Sequence, residues 1–132
     1  LDNIDDIFDY TEPQKLGMVE DKPWTMRTGG KFHNSGVVVF EGTPPILDQW
    51  RKKVAEKNRE IAVGMGDQEV LHSMMDSPLT RHIHITDVPN EYNWLRLQVE
   101  IDNQNSYNKK IMHWTGHKGK ERIRKYIEEW NG

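Results

Sequence analysis

Three stretches of this chain carry side chains whose types and spacing could bind or transform a polar ligand. In Phe32-His33-Asn34-Ser35-Gly36-Val37-Val38-Val39-Phe40, small polar groups stand at the mouth of an apolar run. Asn34 offers an amide donor and acceptor and Ser35 a hydroxyl, which suits the alternating hydroxyls of a sugar ring. Gly36, with no Cβ, lets backbone approach a ligand closely. A turn feeding a strand would use the same residues. In Gly66-Asp67-Gln68, a carboxylate and an amide open a helical pattern. Held there, they could orient hydroxyls or stabilise positive charge at an anomeric carbon. As a plain helix cap, Asp67 would need no ligand.

The third stretch runs from Lys109 through His113-Trp114-Thr115-Gly116-His117-Lys118-Gly119-Lys120. Between residues 109 and 125 stand Lys109, Lys110, Lys118, Lys120, Arg122, Arg124 and Lys125, against the single acid Glu121. A strand, His113, a glycine-punctuated loop and a helix start, in that order, would form a cradle for a diphosphate. Backbone N–H groups, the helix dipole and lysines all favour anions. The plainer alternative is a solvated basic helix face. A structural zinc site is not expected. His82 and His84, which would share a strand face, and His113 and His117, four apart, lack the flanking Glu or Cys of a zinc pattern.

These groups need a scaffold, and the composition limits its kind. The chain has 132 residues, enough for one modest core. Hydrophobic residues make up 35% and charged residues 30%, a polar balance for a self-sufficient domain and one that suits a piece leaning on a partner. Lys and Arg number 18 against 21 Asp and Glu, a net charge of −3, so no global field draws the molecule to nucleic acid or membrane. Without cysteine there is no disulfide, thiolate metal site or cysteine nucleophile, which fits a cytoplasmic setting. The longest apolar run, Val37 to Phe40, falls far short of the roughly 20 residues of a membrane span, so no transmembrane segment is expected. Leu1 opens no signal-peptide pattern and is not expected to be a translation start.

The patterning predicts a single α/β domain over residues 1–132, without repeats or linkers. Ile4, Ile7 and Phe8 suggest one short apolar turn, and Leu16 to Val19 a strand. Pro23, Gly29 and Gly30 suggest a loop carrying Trp24. Gly36 to Phe40 reads as a strand buried on both faces. Thr43 and Pro44 open a helix to about residue 60, with Ile46, Leu47, Trp50 and Val54 on one stripe. Gly64 and Gly66 punctuate, and a second helix from Asp67 carries Val70, Leu71, Met74 and Met75 and ends before Pro78. His82 to Ile85 and Leu95 to Ile101 alternate with period two, as strands do. Asp102 to Asn108 is a polar loop and Ile111 to Trp114 a short strand. Ile123, Tyr126, Ile127 and Trp130 mark a closing amphipathic helix.

Taken in order, the motifs resemble the C-terminal part of a GT-A fold glycosyltransferase, of the family that contains glycogenin and bacterial galactosyltransferases. The resemblance rests on Asn34-Ser35-Gly36-Val37, on Asp67-Gln68, on Val88-Pro89-Asn90-Glu91-Tyr92-Asn93-Trp94, and on His113-Trp114-Thr115-Gly116 with Lys118. It extends from Ile4 to about Lys120.

The resemblance implies that Asn34 and Asp67 hold donor-sugar hydroxyls and that Gln68 lies near the anomeric carbon. Asp67 and Gln68 are then the expected catalytic pair. Ser35, Gly36, Asn93, Gly116, Lys118 and Lys120 are expected to line the substrate site. His113 would ligate a divalent cation, manganese or magnesium, that neutralises the departing nucleotide diphosphate. The expected partners are a nucleotide-diphosphate sugar and a glycan or other hydroxyl acceptor. Two departures stand out. The family's lysine stands six residues after the histidine, where this chain has Gly119 between Lys118 and Lys120. The family's Asp-x-Asp should precede Ile4-Asp5-Asp6-Ile7-Phe8, and neither it nor a nucleotide-binding region stands in these residues, so the chain alone is expected to be nearly inactive. Two other readings remain: a non-catalytic carbohydrate- or nucleotide-binding module, and a nucleic-acid binder using residues 109–125 with Trp114 as a stacking platform.

Overall fold

The structure, a computed structural model, describes residues 3–60, 66–105 and 107–131. Gly64, read above as punctuation, and the side chain of Trp130 lie outside the described residues. The order is a 3-10 helix at Asp5–Tyr10, then β1 (Leu16–Glu20), α1 (Lys22–Thr28), β2 (His33–Val39), α2 (Pro45–Glu60), α3 (Asp67–Met74), α4 (Pro78–His84) and β3 (Ile85–Val88). A second 3-10 turn at Asn90–Tyr92 leads to β4 (Trp94–Leu95), α5 (Arg96–Glu100), β5 (Met112–His113) and α6 (Gly116–Asn131). The architecture is mixed α/β with a small mixed sheet. β1 lies at its centre, antiparallel to β2 and parallel to β3, while β4 and β5 form a separate parallel pair.

β1 is buried on both faces, and its period of two divides the core. Leu16 and Met18 point to one side and pack with Ile46 and Trp50 of α2, Val70 and Leu71 of α3, and Ile85. Val19 points to the other and packs with Ile7, Val39, Val88 and Tyr92. Between the two sits Gly17, where a Cβ would lie 2.6 Å from Cγ1 of Val39. The apolar stripe of α2 therefore covers one face and the N-terminal 3-10 turn the other. Trp50 adds a polar link, its indole N–H donating to the Asp67 carbonyl at 2.9 Å and pinning the start of α3.

Four expectations change. Residues 22–28 are a helix rather than a loop. Asp21 caps it through Trp24 N at 3.1 Å, Pro23 sits in the first turn, and Gly29 closes it at φ 77°. The residues that looked like loop punctuation are the helix's own start and stop signals. Likewise His82 and His84 stand on α4 and not on a strand; the Ser77 hydroxyl accepts from Thr80 N at 3.0 Å, and Pro78 opens the helix. Only from Ile85 does the chain extend. Leu95 to Ile101 divides between β4 and α5, because the Gln98 amide turns back to accept from Leu95 N at 3.1 Å and ties the chain into a helical turn. Finally, β2 is an edge strand of the sheet, half open to solvent along its middle rather than buried on both faces.

The closing helix is present and begins at Gly116, but Ile123, Tyr126 and Ile127 are exposed on it. No described helix is long and apolar enough to cross a membrane.

Candidate functional site

The β1–β2 register shifts abruptly, from Met18 opposite Val38 to Val19 opposite Asn34. Three residues, Ser35 to Val37, are thereby left without a partner on β1, and this irregularity opens them toward the helices. Asp21, one residue past the end of β1, lies beneath them, buried with 8% of its surface accessible. Its Oδ2 accepts from Asn34 Nδ2 at 3.0 Å and from Gln68 Nε2 at 3.1 Å, while its Oδ1 caps α1. Asp21 thus joins β1, β2 and α3 at a single carboxylate.

Around that floor the polar groups are ordered. Gln68 Oε1 accepts from Ser35 N at 3.0 Å. Asp67, exposed in the first turn of α3, accepts through Oδ1 from the Ser35 hydroxyl at 3.1 Å and from Gln68 N at 2.8 Å. Asn34 Oδ1 accepts from Gly36 N at 2.8 Å and from Asn93 Nδ2 at 2.9 Å, and Asn93 Oδ1 meets His113 Nδ1 at 3.0 Å. These groups border a cleft of about 500 Å³ whose rim includes Trp24, Arg27, Leu97, His113, Thr115 and Gly116. Arg96 Nε donates to the Thr115 carbonyl at 3.1 Å, holding the loop that brings Gly116 to the rim.

His113 is half-buried, and desolvation lowers its pKa below the ordinary 6.5 against the opposing pull of Asp21's charge. Its ring lies close against β2, where a Cβ on Gly36 would come within 2.1 Å of Cε1. What Gly36 admits is therefore the imidazole of His113. As a candidate metal ligand, His113 fits in one respect: with Nδ1 bonded to Asn93, Nε2 has no described hydrogen-bond partner. Among the described residues no three His, Asp or Glu side chains gather at metal-binding distance, so His113 stands as a single donor.

The structure brings Asn34, Ser35, Asp67, Gln68, His113 and Gly116 to one cleft. It places Asn93 differently. Asn93 is wholly buried behind the wall and bridges Asn34 to His113. Lys118 and Lys120 are exposed on α6 and do not line the cleft; Lys120 borders a neighbouring hollow of about 350 Å³ with Gly36, His113 and Trp114. A lysine at the family's usual position would not fit either, because a Cβ on buried Gly119 would meet the Trp114 carbonyl oxygen at 2.3 Å. Within the basic stretch, Lys110 pairs with Asp6, Arg122 with Glu100 at 3.1 Å and Lys125 with Glu129 at 3.8 Å.

Asp21, Trp24 and Arg27 were not expected at the site. The signal for Asp21 was the Asp-Lys-Pro order after a strand, which reads as a helix cap and its first turn. Compared with protein families, with curated proteins and with solved structures, the chain gives no match in any of the three.

Proposed function

We propose that this chain is the sugar-handling portion of a glycosyltransferase that uses a nucleotide-diphosphate sugar and a divalent cation. The observation that supports this most is the convergence of Asn34, Ser35, Asp67, Gln68 and His113, from three separate elements, on one cleft with a charged floor. None of the motifs is adjacent to the next in sequence.

In this reading the exposed carboxylate of Asp67 and the second N–H of Gln68 Nε2 face the donor sugar, and their bonds to Ser35 and Asp21 fix them before it arrives. A bound manganese or magnesium ion would supply charge neutralisation at the departing diphosphate. His113 would contribute one nitrogen toward that ion, and Gly116, opening α6 at φ 72°, would offer backbone N–H groups to the diphosphate.

The test is heteronuclear NMR of the chain with manganese(II) chloride, then with uridine- and guanosine-diphosphate sugars. Paramagnetic broadening centred on His113, and sugar-dependent shifts at Asn34, Ser35 and Gln68, are expected. His113→Ala should abolish the broadening. Broadening elsewhere, or no shift at the cleft with sugar nucleotide and manganese both in excess, would remove the assignment.

A further inference from the structure

The cleft's hydrogen bonds form an unbroken series from Asp21 through Asn34 and Asn93 to His113, and each link has a direction. A carboxylate accepts and cannot donate. Asp21 Oδ2, buried at the head of the series, therefore requires the NH2 of Asn34 to face it. The carbonyl oxygen of Asn34 must then face the other way, where it accepts from Gly36 N and from the NH2 of Asn93. With its NH2 so committed, Asn93 has only its carbonyl oxygen to offer His113. An imidazole nitrogen facing a carbonyl oxygen has to carry hydrogen.

We infer that Asp21 is a positioning residue that sets the tautomer of His113 through Asn34 and Asn93, so that Nδ1 bears the hydrogen and Nε2 presents its lone pair. The inference rests on the glycosyltransferase reading only for the use to which that lone pair is put. The assignment of the hydrogen follows from the series itself. It also gives Asn93 a reason to be wholly buried, since the amide transmits orientation and needs no ligand contact. A second constraint helps. Gly36 gives the ring room to lie against β2, with Cε1 and Nδ1 over the strand.

The experiment is long-range proton–nitrogen correlation NMR on the nitrogen-15-labelled chain, recorded where the ring is neutral. It distinguishes the protonated nitrogen from the unprotonated one by chemical shift. In the unsubstituted protein Nδ1 is expected to be the protonated nitrogen. In Asp21→Asn the series loses its acceptor-only head. Asparagine caps helices as well as aspartate does, so α1 should keep its cap. The new NH2 opposes that of Asn34, and relief comes from reversing Asn34 and then Asn93. Loss of the pure Nδ1–H signature, with Nε2–H appearing, is the expected result. Adding Asn93→Asp places an acceptor-only group next to His113 and should restore Nδ1–H, a rescue that a merely structural role for Asp21 does not predict. Should Asp21→Asn fail to fold, Asn34→Ala breaks the series at its second link without touching the cap.

A protonated Nε2 in the unsubstituted protein overturns the inference, as does an unchanged signature in whichever of Asp21→Asn and Asn34→Ala remains folded. Manganese broadening is read separately. If the tautomer is as stated and manganese does not broaden His113, the positioning series stands and the metal assignment falls.

Discussion

A methyl group on Gly36 would lie 2.1 Å from Cε1 and 2.3 Å from Nδ1 of His113, closer than any real contact allows. The two residues are far apart in the sequence, and the absence of one side chain is what lets the other sit in the cleft wall. Gly36→Ala should cost about 1–3 kcal/mol through overpacking. Much of that cost should vanish when His113→Ala is present. Urea denaturation of the four proteins in the cycle gives the coupling, and additive effects would mean that the ring is not where the structure puts it.

Ser77 starts α4 by accepting from Thr80 N, so Ser77→Ala should cost about 1 kcal/mol while Ser77→Asp keeps most of the stability. Thermal unfolding of the two variants checks this. Equal losses would show that the hydroxyl's cap is not what holds the helix start.

His72 stacks on Phe32 at a centroid distance of 4.2 Å, and its Nδ1 accepts from Arg81 Nη2 at 3.0 Å. Burial first, then the charge of Arg81 and the neighbouring His33, holds its pKa below 6.5. A lowered folded-state pKa means that the unfolded chain takes up a proton more readily. The contribution of this group is therefore complete above pH 6.5 and declines as the pH falls through the depressed value. Asp87 behaves in the same sense at lower pH. Its hydrogen bond to His33 and its pairing with Lys31 outweigh burial and hold the carboxyl well below 3.8. The urea midpoint should thus be level above about pH 6.5 and fall as the pH drops below it, a window that belongs to histidine. His72→Phe should flatten that fall, and an equally steep fall in the variant would assign it to another group.

Gly119→Lys would restore the lysine spacing of the resembled family, yet it should destabilise the start of α6 because its Cβ meets the Trp114 carbonyl. Circular dichroism and thermal unfolding should show lost helix and a lower midpoint. A variant as stable as the parent would mean that the helix start shifts easily to make room.

Much of the scaffold was legible because periodicity and burial agreed. The stripe of Ile46, Leu47, Trp50 and Val54, and the run from Leu16, each met one extended partner surface. The failures share a cause. Pro23, Gly29 and Pro78 were read as interruptions when they open and close α1 and open α4, and an isolated start or stop signal does not say which side of it the helix lies on. At 95–101, alternation lost to one buried amide, Gln98, folding back on Leu95. At the site, residue type was enough to single out Asn34, Asp67, Gln68 and His113. It was not enough for Asp21, whose meaning depends on bringing residues 34 and 68 to the same oxygen. Nor did it show that Lys118 and Lys120 do not line the cleft, since that depends on where α6 begins.

The cleft draws its groups from residues 21, 34, 67, 68, 93 and 113, so its parts are separated by most of the chain's length. During synthesis β1, β2 and the first helices can emerge and collapse around Leu16 and Met18 well before Asn93 and His113 leave the ribosome. Until then Asn34 is held on one side only, and the pocket does not exist even though the sheet does. A nascent chain stalled before residue 113 should already resist protease at the sheet and yet remain unable to recognise any ligand of the cleft. Within residues 1–132 the sheet can thus form before the recognition surface is complete.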